Sequence, residues 1–240
     1  SQLVQDARRH SIEIQPVDIL HSEWESTLEI GHHAEGIAPF PTHLSQPAIR
    51  LGFQRIKGFR EDAALRIIQA RKQKPVRSVQ DIAARARLDR GDLARLTEGG
   101  AFKQLSGHRY QSHWDIQGIL PETPLLDRVA HEETPYVVHR TPSETDDLRA
   151  DYSSLGLTLG RHPMAMLREQ GKPFSDCCAS ADLTNIRHGR FVQVSGIVTG
   201  RQRPSSASGV LFLTLEDETN NVNVVVWTRI LEKNRAAVVQ

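Results

Sequence analysis

The spacing of apolar residues changes several times along the chain, and each change predicts a different kind of element. Leu3, Val4 and Ala7 fall on one side of a short helix over residues 2–10. Ile12-Glu13-Ile14 and Val17-Asp18-Ile19 alternate apolar and polar residues like strand pieces, broken at Pro16, which cannot donate to a ladder. Residues 31–49 collect Gly, Pro, His and Ser and read as loop. From Ile49 the spacing becomes helical: one helix through Ile67, Ile68 and Ala70 stops before Pro75, and a second starts at Ser78, an N-cap residue. A third helix runs from Leu88 to Leu96 and ends at Gly99-Gly100, and a fourth lies between Gly107 and Gly118 with Trp114 on its face.

Pro121, Pro124, Pro135 and Pro142 then punctuate an acidic stretch that reads as a connector over 119–185. Short helices are predicted at Asp147–Leu155 and Pro163–Arg168, and a turn at Arg187-His188-Gly189. Period-two patterning returns at the end, with strands predicted at Arg190–Thr199, Val210–Leu215 and Val222–Trp227 and a helix from Thr228. Arg201 and Arg203 fall in the loop between the first two strands, and Glu216 to Asn221 form a tight turn. Three strands followed by a helix match the first part of an OB-fold barrel. Such a barrel takes two more strands, and the chain opens on Ser1-Gln2 without Met, so a fragment of a longer protein is expected. The predicted fold class is α+β: a helical unit over 46–118, the connector, then an incomplete OB-fold over 186–240.

Composition narrows the picture. Hydrophobic residues make up 38% and aromatics 5%, which favours several small cores over one large one. No stretch approaches the roughly 18 apolar residues that span a membrane. The two cysteines, Cys177 and Cys178, are neighbours, and the ring they would close is strained, so a reducing cytoplasmic setting is expected. The formal net charge is +1, yet residues 50–110 hold fifteen Lys/Arg against six Asp/Glu, a surplus of nine. Local neutralisation of this kind is how proteins hold nucleic-acid phosphates, although a solvated basic face looks the same in sequence.

The sharpest local motif is Ile56-Lys57-Gly58-Phe59 followed by Arg60, an apolar-x-Gly-apolar turn between two helical stretches. It has the form of a helix-hairpin-helix, in which glycine lets the backbone approach a phosphate that the next helix's amides then bind. Lys57, Gly58, Arg60 and the preceding Arg55 are the candidate DNA contacts, and an ordinary helix–helix turn with Gly58 as a C-cap is the plainer reading. Leu88-Asp89-Arg90-Gly91 forms a weaker second copy, which adds Arg90. In the tail, Arg201 and Arg203 with Phe212 and Trp227 could face a single strand, or the two aromatics could fill the barrel.

Catalytic signals are absent. Glu216-Asp217-Glu218 sits in a turn, where consecutive carboxylates point apart, stay solvated and would repel DNA. His32, His33 and His43 lie in loop sequence without metal-ligand spacing. No phosphate-binding loop, nucleophile elbow or paired strand carboxylates occur, so no catalytic residue and no cofactor is expected within this chain.

Arg201-Gln-Arg-Pro, Gly209–Thr219 and Val222–Trp227 together resemble the OB region of bacterial C-family DNA polymerases, and most of all their error-prone, damage-induced branch. Asp151–Pro163 is similar to the segment before that region, and Leu51–Phe59 with Leu93–Phe102 to the tandem helix-hairpin-helix. Leu3–His10 with Val17-Asp18 and Ser22-Glu-Trp24 is similar to the end of the fingers, here residues 1–45. The resemblance covers nearly the whole chain in the right order. It implies a parent DNA-directed DNA polymerase acting in translesion synthesis during the SOS response, with magnesium held in a palm upstream of this chain. It also implies a Y-family-like adaptor and a RecA-like accessory protein as partners. Residues 104–180 contain no Gln-x-x-Leu-Phe-like clamp-binding peptide, so a sliding clamp would be reached only through the adaptor.

Overall fold

The computed structural model describes residues 2–29, 47–117, 141–207 and 209–236, and the chain divides into two compact units at Leu159/Gly160. His32, His33, His43, Gly118, Pro121, Pro124 and Pro135 lie outside the described residues.

The first unit opens with α1 (Gln2–Arg9), whose Val4 is buried. A small sheet follows, made of β1 (Ile14–Gln15), β2 (Thr27–Glu29) and β3 (Ala48–Arg50), with β3 central, parallel to β1 and antiparallel to β2. Two expectations change here. Ile49 begins no helix, because Ala48–Arg50 finds a strand partner on each side and tertiary pairing overrides the local pattern. Val17-Asp18-Ile19 makes no strand although all three residues are buried. Asp18 Oδ1 accepts from the Leu20 amide at 2.7 Å, and the Asp18 amide donates to Ser22 Oγ at 2.9 Å, so a side-chain turn replaces a ladder after Pro16.

Gly52 crosses the Trp24-Glu25 backbone so closely that a β-carbon built there would lie 2.3 Å from the Glu25 carbonyl carbon. Only glycine permits that crossing, which brings the chain into a 3₁₀ turn, Phe53–Arg55. The helical part then comprises α2 (Glu61–Gln73), α3 (Val79–Arg85), α4 (Arg90–Glu98), α5 (Lys103–Ser106), α6 (Arg109–Gln117) and α7 (Glu144–Ser154). Ser78 caps α3 as expected, its side chain accepting from the Asp81 amide. Asp89 and Asp92 cap α4 reciprocally, and Gly100 ends it at φ 72°. Phe53, Ile67, Ile82, Leu96 and Phe102 are fully buried, and the Phe53 and Phe59 rings meet at 5.8 Å in a tilted arrangement.

α7 falls within the stretch expected to be a connector, and it packs into the first unit. Arg109, almost fully buried, donates to Asp147 Oδ1 and Asp151 Oδ1 and to the Glu98 carbonyl at 3.1 Å, which ties α6, α4 and α7 together.

The second unit contains α8 (Pro163–Glu169) and an antiparallel meander of β4 (Ile197–Gln202), β5 (Leu211–Glu216) and β6 (Asn221–Val226), followed by α9 (Thr228–Lys233). The first predicted strand is displaced: β4 starts at Ile197, a register shift falls between Val198 and Gly200, and Val194 makes only an isolated bridge to Cys178. The described residues form these three strands and the helix after them. Cys177 and Cys178 carry free thiols.

Candidate nucleic-acid interface

The Gly58 turn is built on a buried apolar frame with an open polar surface. Ile56 and Phe59 are buried on either side of it, Lys57 and Gly58 are exposed, and Gly58 adopts φ 72°, a left-handed conformation natural to glycine. The element before the turn is the single 3₁₀ turn Phe53–Arg55, shorter than the helix the hairpin pattern predicts, and the element after it is α2. Among the described residues the amides of Gly58, Arg60 and Glu61 have no hydrogen-bond partner, and α2 has no side-chain N-cap. The Lys57 amide is used differently: it donates to the Ser154 carbonyl at 2.8 Å, so the end of α7 holds the turn from below.

The fifteen cations of residues 50–110 divide into two groups. Arg50, Arg60, Arg66, Arg71, Arg85, Lys103 and Arg109 pair with carboxylates. Arg55, Lys57, Lys72, Lys74, Arg77, Arg87, Arg90 and Arg95 have no side-chain partner among the described residues. Of the candidate contacts, Arg55, Lys57 and Arg90 are exposed and belong to the second group. Arg60 belongs to the first: its Nη2 donates to Asp92 Oδ2 at 2.8 Å and to Asp89 Oδ2 at 2.9 Å. The hydrogen bond and charge of Asp92 raise the Arg60 pKa, and the Arg66 hydrogen bond lowers that of Asp62. Arg60 thus fastens the first turn to the N-terminus of α4. The second turn, between α3 and α4, places Arg87 at φ 50° and Arg90 as the first residue of α4. Asp89 and Asp92 cap that N-terminus reciprocally and set two carboxylates there, whereas the first turn has no side-chain cap, which makes the two turns chemically unequal.

Arg201 and Arg203 belong to the other unit. Arg201 lies within β4, opposite Leu213, and not in the loop, while Arg203 follows the strand. With Leu211, Leu231, Glu232 and Arg235 they line a cavity of about 650 Å³. Phe212 is 38% exposed and Trp227 65%, so neither ring is core among the described residues.

The three consecutive carboxylates overturn an expectation: Glu216 and Asp217 are buried and their turn is a structural knot. Asp217 accepts from the Ser180, Thr219 and Asn220 amides at 2.7, 2.9 and 2.9 Å. Arg168 lies 3.4 Å from Asp217 and 2.6 Å from Glu218, which offsets their charge. Burial pushes the Asp217 carboxyl up, but hydrogen bonds from Asn220, Ser180 and Thr219 together hold it at about 2, against an ordinary 3.8. A depressed carboxylate stabilises fully above its unfolded value and loses that contribution as pH falls through its folded one. Denaturation of the chain at pH 5 and pH 2.5 is expected to differ by about 2 kcal/mol through this group, and Asp217→Asn should remove that share of the difference. An unchanged pH dependence in the variant would show the knot to be energetically idle. Burial lowers the His162 pKa in spite of the nearby Glu216, and its Nδ1 accepts the Met164 amide at 3.2 Å as the cap of α8.

Among the described residues no three His, Cys, Asp or Glu come together to hold a metal ion, and no helix is long and apolar enough to cross a membrane.

Comparison with known proteins agrees with the hairpin geometry. A family model described as a helix-hairpin-helix motif matches residues 11–112, which takes in the small sheet as well as α2 to α5. Error-prone DNA polymerases of Pseudomonas paraeruginosa and Teredinibacter turnerae are each 46% identical over 98% and 99% of this chain. That of Pseudomonas fluorescens is 44% identical over 99%. The chain spans about a fifth of their length, 22% in each case. It is therefore homologous, over nearly its whole length, to one segment of the error-prone DNA polymerases and carries a helix-hairpin-helix module over residues 11–112.

Proposed function

We propose that this chain is the duplex-gripping segment, at the C-terminal end, of an error-prone DNA polymerase, and that it holds primer-template DNA through phosphates without reading sequence. The observation that carries this reading is the Gly58 turn: open amides and the unpaired Lys57, with Arg55 and Arg90 also unpaired, in a module of helix-hairpin-helix type. Contacts of that kind position a protein on DNA and are indifferent to base identity, as a polymerase requires. Arg60 serves this grip indirectly, by keeping the first turn against α4.

The parent protein, on this reading, copies damaged templates in the SOS response in the bacterial cytoplasm, with its magnesium ions held by residues outside this chain. The second unit is read as the beginning of an OB-fold, supported by its antiparallel meander and the helix after it. Its cavity with Arg201 and Arg203 suits a single-stranded phosphate backbone, and its exposed Trp227 suits stacking. Exposed apolar positions such as Phe191, Val198 and Ile230 suit docking of a polymerase-like adaptor, through which a RecA-like protein and the clamp would be reached.

Fluorescence anisotropy with a labelled primer-template duplex tests the reading. The Lys57→Glu/Arg90→Glu variant should bind at least about tenfold more weakly than the wild-type chain at low salt, since each reversal exchanges an attraction for a repulsion. Equal affinity would move the duplex site away from the hairpins.

A further inference from the structure

The two glycine turns converge on one side chain that the hairpin pattern does not mark. Arg95 lies on α4, and a β-carbon on Gly58 would sit 3.4 Å from its Nε, while one on Gly91 would sit 3.0 Å from its Nη1. Its guanidinium therefore rests in the notch left by the missing side chains of Gly58 and Gly91. Arg95 is partly exposed and its side chain has no hydrogen bond or ion pair among the described residues. Asp89 is adjacent, with its Oδ1 3.1 Å from the same Gly91 position, but Oδ1 accepts from the Asp92 amide and Oδ2 from Arg60. Asp92 is fully buried and engaged by Arg60 and Arg66. The local acids are thus taken by other arginines, and Arg95 keeps its five donors for something else.

We propose that Arg95 binds a DNA phosphate at the Gly58 turn, so that the first turn's open amides and a side chain from the second hairpin form one phosphate-binding notch. The planar fork of a guanidinium suits a phosphate's paired oxygens, and a notch floored by two glycines lets the phosphate approach both the amides and the fork. At the second hairpin the Asp89–Asp92 cap places two carboxylates at the N-terminus of α4, which disfavours a phosphate there, and Arg95 supplies that hairpin's contribution instead. The proposal rests on the duplex-binding reading given above.

Two measurements test it on the whole chain. In titrations of a labelled duplex at several salt concentrations, Arg95→Gln should reduce the slope of log K against log salt by about one unit, and Arg95→Lys should retain the slope while binding more weakly. On the wild-type chain, phenylglyoxal should modify Arg95 without DNA and much less with saturating duplex, read by peptide mass spectrometry. Wild-type binding with an unchanged slope in Arg95→Gln overturns the proposal and leaves the duplex reading standing. Equal modification with and without DNA, or none in either state, does the same, because the head group would then be closed to a phosphate. Absence of any duplex binding by the wild-type chain fails the reading and the proposal together.

Discussion

Replacing Arg109 with methionine is expected to cost the first unit about 3–5 kcal/mol, the range for breaking a buried ion pair from one side. The side chain is only 8% exposed and reaches Asp147, Asp151 and the Glu98 carbonyl. Methionine fills much of the volume but leaves Asp151, only 16% exposed, without its cation and Asp147 with Lys103 alone. The loss also has a functional direction. α7 is the element whose Ser154 carbonyl receives the Lys57 amide, so loosening α7 frees the Gly58 turn. Urea denaturation should show the lower midpoint, and DNA affinity should fall more than a surface Arg→Met change would produce. A midpoint within experimental error of wild type would mean that α7 is not fastened by this arginine.

Gly52→Ala is the second large effect. Its φ is −81°, an ordinary value, so the glycine is not there for backbone freedom. It is there for space: the new β-carbon would fall 2.3–2.4 Å from the carbonyl groups of Trp24 and Glu25, and backbone cannot step aside as a flexible side chain can. Overpacking against backbone falls at the upper end of the usual range, about 3 kcal/mol, and displaces the Phe53 turn that leads into the hairpin. Gly107→Ala is the matched contrast. Gly107 has φ 83° with nothing within 4 Å, so alanine there carries only the left-handed penalty of about 1 kcal/mol. Thermal melts of the two variants should rank Gly52→Ala far below Gly107→Ala. The reverse order would contradict the crossing geometry.

The helices and their ends were largely legible in sequence because their signals are local. Ser78 as a cap, Pro75 as a stop and Gly99-Gly100 as a terminator act on neighbouring residues, and all three do so in the structure. What depends on distant partners was not legible. Ala48–Arg50 became a strand because residues 14–15 and 27–29 flank it. Asp217 is expected in solvent from its neighbours, but the Ser180 amide and Arg168, some 37 and 49 residues away, satisfy it in a buried place. The charge surplus of residues 50–110 is read directly from the sequence, but sequence cannot separate the cations that pair with carboxylates from those that do not. Arg60 and Lys57 are three positions apart and look alike in a string, but one is locked to Asp92 and the other stands open. Arg95 had no motif to announce it, since its place between Gly58 and Gly91 arises only when α4 packs beside the first turn.

If the open cations around the two hairpins grip duplex phosphates, duplex binding must weaken with salt. Each neutralised phosphate contributes a slope of about −0.9 to log K against log salt. Binding that weakens steeply, with a slope of about −3 or beyond and little dependence on duplex sequence, is the result predicted from Lys57, Arg90, Arg95 and their neighbours. A flat salt dependence, or no binding at low salt, would show that these cations do not hold duplex phosphates.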